Sequence, residues 1–138
     1  MNRTASHRIT ICTSCKDVST GRRPGAELIQ ALRAGLAEAR DGLGSDFSVG
    51  GAACMAGCTR PCTVGFHGVS KASYLFGDIG AAGSGDDVAD LVAFARQYAL
   101  LSDGWCSSVD RPGKLRRTTL ARIPATLFAA PAGEEVQP

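Results

Sequence analysis

Aromatic residues, methionine and net charge are all scarce in this chain of 138 residues. Five Phe, two Tyr, one Trp and two Met stand beside seventeen Gly, so the core is expected to depend on small aliphatic side chains. Fifteen Lys and Arg nearly balance thirteen Asp and Glu, and a net charge of +2 argues against a nucleic-acid partner. No apolar run approaches the roughly 20 residues of a membrane span. Residues Met1 to Arg8 lack the apolar stretch of a secretory signal. The expectation is one soluble cytoplasmic domain, without membrane or nucleic acid, since domains commonly run about 100–150 residues.

Cysteine is what the chain has in excess. Cys12 and Cys15 form a C-x2-C pair, Cys54, Cys58 and Cys62 a C-x3-C-x3-C run, and Cys106 stands alone. In an exported chain six cysteines would suggest disulfides. Without a signal the thiols are expected to stay reduced, and clustered reduced thiols bind metal or carry out redox chemistry. Soft thiolates select zinc, iron–sulfur clusters or copper(I), and separated groups of cysteines are a common way to close a four-thiolate site. On a continuous helix Cys54, Cys58 and Cys62 would form one stripe. Gly57 and Pro61 argue instead for a glycine-rich loop, whose backbone N–H groups can hydrogen-bond to anionic sulfur. Buried cysteines acting as small hydrophobes are the plainer reading, but five in two tight groups fit ligation better. The pattern points to a metal; the spacing does not choose which.

The hydrophobic patterning predicts a strand over 8–12 and a helix from Pro24 through Leu28, Ile29, Leu32 and Leu36, ending at Gly42 and Gly44. Further strands are expected over 47–53 (weakened by Gly50 and Gly51), 63–68 and 72–78, the last two as an antiparallel hairpin. A second helix starts near Ser84 and carries Val88, Leu91, Val92, Ala95 and Tyr98 as its apolar stripe. The order β-α-β-β-β-α implies a mixed four-stranded sheet in an α/β layer, which is the element order of a thioredoxin-like fold. That domain is expected to span 1–110. Residues 111–138 are expected to form a basic, partly disordered extension, irregular from Arg111 and disordered from Pro131.

The run Cys54-Met-Ala-Gly-Cys58, followed by Val64-Gly-Phe66, is similar to the cluster loop of thioredoxin-like 2Fe–2S ferredoxins. More closely, the chain resembles a family of small bacterial proteins described only as metal-binding. The segments that carry this resemblance are Ile11–Cys15, Cys54–Val64, Lys71–Asp78 and Arg111–Arg117, touching most of residues 9–125. The resemblance implies a thioredoxin-like fold and a link to cobalamin biosynthesis. It also implies Cys54, Cys58 and Cys12 as ligands, with Cys15 or Cys62 as the fourth. Two departures stand out. The ferredoxins separate their first two ligands by a longer stretch than Cys12 and Cys15, and Cys62 is extra to their pattern.

Three functions from different classes are therefore expected. The first is a small ferredoxin-like electron carrier holding a 2Fe–2S cluster. A zinc-binding structural or metal-delivery protein is the second. The third is a dithiol oxidoreductase using Cys12 and Cys15, disfavoured because the first helix starts some nine residues beyond Cys15, away from the pair. A non-enzymatic role is favoured. The basic run Arg111–Arg122 is usually a solvated tail; its functional reading is a docking patch for an acidic redox partner. A homodimer is left open. Cys106 is expected to be a packed thiol, His67 a surface histidine, His7 an idle residue of a flexible start, and Lys71, Tyr74 and Asp78 ordinary strand residues.

Overall fold

The strand, helix, strand opening folds as the patterning predicts. A computed structural model describes residues 6–14, 21, 23–39, 43–53, 55, 62–80 and 85–125. Strand β1 (His7–Cys12) leads to helix α1 (Gly25–Glu38), a one-turn helix α2 (Leu43–Asp46) and strand β2 (Phe47–Ala52). Strands β3 (Val64–Gly68) and β4 (Ser73–Phe76) follow, then helix α3 (Gly85–Leu100). A 3-10 turn (Ser108–Asp110), a short helix α4 (Leu115–Thr118) and strand β5 (Thr119–Ile123) complete the described chain.

The sheet order is β2-β1-β3-β4-β5. Strands β1 and β2 are parallel across the α1 crossover, and the other neighbours are antiparallel. This is a mixed α/β layer of five strands, not the four expected. The difference is β5, which pairs Arg122 with Tyr74 and Ala121 with Leu75 in the stretch expected to be irregular. The segment from Pro131 lies outside the described residues.

Helices α1 and α3 cover one sheet face. A Cβ on Gly51 would lie 3.3 Å from Ile29 of α1, and Gly35 of α1 faces Val92 of α3. Alternation along the strands sends Ile9, Ile11, Val49, Val64 and Phe66 to that face. The scarcity of aromatics misleads about the core. Phe47, Phe66, Tyr74, Phe76, Phe94 and Tyr98 collect in one cluster, with Phe66 4.9 Å from Phe94 and Tyr74 5.1 Å from Phe94, both edge-on. Such pairs add about 0.5–1.5 kcal/mol each beyond area burial. The aliphatic set built on Ile9, Ile11, Leu28, Leu32 and Leu91 surrounds this cluster.

The Arg111-Pro-Gly-Lys segment is held by the acids that open α3. Lys114 Nζ donates to Asp87 at 2.8 Å, and the Lys114 backbone N–H donates to Asp90 at 3.2 Å. Gly113 has φ +52°, and the Asp90 carboxylate occupies the space a Cβ would need. Gly113→Ala would add left-handed strain and displace Asp90, costing about 2 kcal/mol, which urea unfolding measures. An unchanged midpoint would remove this role for the glycine.

His7, expected to be idle, is built into the strand at the other end of the sheet. It is 9% exposed and stacks on Phe47 at 4.7 Å. Lys71 Nζ donates to His7 Nε2 at 2.9 Å and to the Tyr98 carbonyl at 2.8 Å, while Nδ1 faces the Asp46 carbonyl at 3.3 Å. Burial, then the Lys71 charge, hold His7 below its usual 6.5. The unfolded chain therefore takes up this proton first, and stability falls as pH drops through 6.5 toward the folded value. A urea midpoint lower at pH 5.5 than at 7.5 is expected, with a smaller drop in His7→Gln. An equal drop in that variant would assign the effect elsewhere, His67 being the other histidine held low.

Candidate metal centre

Parallel pairing makes β1 and β2 end side by side, and Cys12 is the last residue of β1, opposite Ala52. Antiparallel pairing brings the start of β3 to the same end. The Cys12 N–H donates to the Thr63 carbonyl at 3.0 Å, and the Cys62 thiol lies 3.3 Å from the Cys12 carbonyl oxygen. Two cysteines fifty residues apart in the chain thus meet at one corner of the sheet. Both are buried, Cys12 to 1% and Cys62 to 2% exposure. Cys62 is further fixed by reciprocal backbone bonds with Ile79, each 3.2 Å.

The turn after Cys12 is anchored on the end of β2. The Thr13 N–H donates to the Ala52 carbonyl at 2.8 Å and its hydroxyl reaches the same oxygen at 3.1 Å. The Ser14 hydroxyl donates to the Ala53 carbonyl, and the Cys12 thiol points to that carbonyl at 4.0 Å. Met55 lies over β3, its methyl 3.2 Å from where a Gly65 Cβ would stand. The residues on either side of Cys54 are therefore held beside Cys12 and against β3.

Two glycines make this approach of backbones sterically open. A Cβ on Gly25 would stand 2.5 Å from the Cys12 carbonyl oxygen and 2.8 Å from the Thr13 Cα. One on Gly51 would stand 2.5 Å from the Thr13 methyl. Gly51, read as weakening β2, thus has a purpose at its end. The amino end of α1 abuts Cys12, so the expectation that this helix start lies away from the cysteines is overturned: distance along the chain is not distance in space. A helix amino end carries partial positive charge that favours an anionic thiolate nearby.

Of the expected ligands, Cys12 and Cys62 are neighbours, the Cys62 thiol lying on the Cys12 backbone carbonyl, while Cys15, Cys54 and Cys58 lie outside the described residues. Among the described residues no three His, Cys, Asp or Glu side chains cluster. Cys106 is distant from this corner, buried against Tyr74 with its sulfur 3.5 Å from the phenol oxygen. His67 is exposed on the open face and bonds to Ser73 at 3.2 Å. Lys71 caps the end of α3 at the far end of the sheet. The signals that sequence reading missed were Gly25 just inside the helix and Gly51 at the strand end.

The basic segment divides. Arg111 is 6% exposed and donates to the carbonyl of Cys106 and the hydroxyl of Thr119. Arg122 stacks on Trp105, and Lys114 is paired with Asp87. Arg116 and Arg117 remain exposed on α4, at the end of the sheet where Cys12 lies, since Gly77 after β4 bonds to Thr118. Three strand spacings separate β1 from β5, about 14 Å.

Among the described residues no helix is long and apolar enough to cross a membrane. No curated protein and no solved structure matches the chain. The model of one family, described as protein of unknown function (DUF1636), matches residues 9–125, most of the sequence on either side of this corner, and the chain belongs to that family.

Proposed function

We propose that the protein holds an iron–sulfur cluster of the 2Fe–2S type and acts as a small ferredoxin-like electron carrier in a reducing, cytoplasmic setting. The observation that supports this reading is the packing of the buried Cys62 thiol against the Cys12 backbone carbonyl, with the buried Cys12 thiol turned toward the Ala53 carbonyl next to Cys54. Their donor chemistry fits: soft sulfur, little exposure, and a helix amino end close by. Cys12, Cys54 and Cys58 would supply three thiolates, with Cys15 or Cys62 as the fourth. The cluster, when bound, supplies one-electron redox chemistry. The chain orients the thiolates, keeps water from Cys12 and Cys62, and sets the cluster's environment by burial and hydrogen bonding.

The thioredoxin-like character of the fold belongs to the same proposal, as does a place beside cobalamin biosynthesis, which the resemblance to bacterial metal-binding proteins suggests. Exposed Arg116 and Arg117, some strand spacings from Cys12, would raise the encounter rate with an acidic redox partner.

Zinc is the second reading, because four thiolates bind it equally well. The dithiol reading is weaker for a reason of burial: at 1% exposure Cys12 is poorly placed to attack another disulfide.

Comparing Cys15→Ser with Cys62→Ser by metal analysis tests the ligand set. One of the two is expected to lose the bound metal and the other to keep most of it, while Cys106→Ser keeps it all. Full metal in both of the first two variants, or loss in Cys106→Ser, would contradict the assignment.

A further inference from the structure

A second feature lies apart from the cysteines. An open groove of about 710 Å³ runs along β5, lined among others by Trp105, Ser107, Ser108, Arg111, Arg116 and Arg122. Among the described residues that line it are three guanidinium groups and no carboxylate.

Arg111 Nη2 and Arg122 Nη1 both donate to the Cys106 carbonyl oxygen, at 3.0 and 2.9 Å. Two cations thus share one neutral acceptor, and among the described residues neither is ion-paired. Arg111 is 6% exposed, its other partners are the Thr119 hydroxyl and the Tyr74 ring, and its Nε is buried without a hydrogen-bond partner. Asp110, the acid next to it in the chain, accepts from Ser107 and gives its carbonyl to Gln97. Gathering like charges around a buried guanidinium is unfavourable unless an anion completes the set. Hydroxyls of Ser107 and Ser108 line the same groove and add neutral donors.

We propose that this groove binds a small phosphate-bearing ligand, its phosphoryl oxygens engaged by Arg116 and Arg122 over the fixed charge of Arg111. Three guanidiniums and two hydroxyls suit a doubly charged tetrahedral oxoanion better than a single carboxylate, since phosphate accepts from several directions at once. The proposal does not depend on what the cysteines hold.

Trp105 provides the test, because it is the chain's one tryptophan, is 46% exposed and has the Arg122 guanidinium 3.5 Å from its ring centroid. A ligand that draws on Arg122 must alter its emission. Inorganic phosphate and phenyl phosphate are titrated into the whole protein at fixed ionic strength, with chloride as the control. A saturable change with phosphate and none with chloride is expected. Arg116→Gln should weaken binding about tenfold, since a charge-assisted contact is lost. Arg96→Gln, exposed on α3, should bind like the wild type. Tighter binding of phenyl phosphate would identify an organic ester as the ligand, and equal binding the inorganic ion. No saturable change, the same change with chloride, or unweakened binding by a folded Arg116→Gln would overturn the proposal.

Discussion

Cys12→Ser is expected to bring bound metal from its full complement to background, the largest functional effect of any single substitution here. The exchange is nearly isosteric, so the fold should survive, but a hydroxyl is a far poorer ligand than a thiolate for iron or zinc. Cys12 holds the central position of the proposed site. Its N–H is tied to Thr63 and its carbonyl oxygen lies against Cys62, so its backbone cannot swing aside to let another group take over. Losing one of the four proposed thiolates would also remove the folding energy that a bound metal would supply, so the variant should behave as the apoprotein does in thermal unfolding. The measurement is metal and inorganic sulfide per chain on protein purified without oxygen. Wild-type content in Cys12→Ser would remove this cysteine from the site.

Gly25→Ala is expected to be the most damaging of the glycine substitutions, at about 3 kcal/mol, in the upper range for overpacking. In an ordinary helix alanine is the better residue. Here the added methyl would stand 2.5 Å from the Cys12 carbonyl oxygen and 2.8 Å from the Thr13 Cα. Both obstacles are backbone, and both are pinned: Thr13 to Ala52, Cys12 to Thr63. Relief requires moving the start of α1 away from the end of β1, which disturbs the turn at Thr13 and Ser14 after Cys12. The variant should therefore lose stability in urea and also hold metal more weakly. A gain in stability, as helix propensity alone would give, would show that α1 does not press on the Cys12 turn.

Much of the architecture was legible in residue patterning. Alternation in Arg8-Ile-Thr-Ile and the helical spacing of Leu28, Leu32 and Leu36 specified a parallel pair with a crossover; β1, β2 and the start of α1 follow within a residue or two, while α1 ends at Glu38, short of the expected Gly42, and Leu43–Asp46 forms its own turn of helix. The short turn after Gly68 specified the β3–β4 hairpin. Strand β5 was hidden by its charge. Arg111 and Arg122 look like a solvated tail in the sequence, yet both are absorbed by the Cys106 carbonyl and by the rings of Tyr74 and Trp105. Nor does composition reveal that six of the eight aromatics gather around Phe66 and Phe94.

The candidate site was legible as two groups of cysteines and only partly as a place. Spacing singled out the cysteine groups, and folding sets the Cys62 thiol against the Cys12 backbone carbonyl. What spacing could not supply is the steric role of Gly25 and Gly51, which depends on atoms brought close by folding rather than by sequence. The same holds for His7, which belongs to the polar contacts of Lys71 and Asp46 rather than to a loose start.

The most direct test of the central proposal is the visible absorption spectrum of protein purified without oxygen, recorded before and after dithionite. Broad absorption through the visible that bleaches on reduction, with iron and inorganic sulfide in equal amounts, is the predicted result for a 2Fe–2S carrier. A colourless protein holding zinc, with no iron and no sulfide, would contradict it.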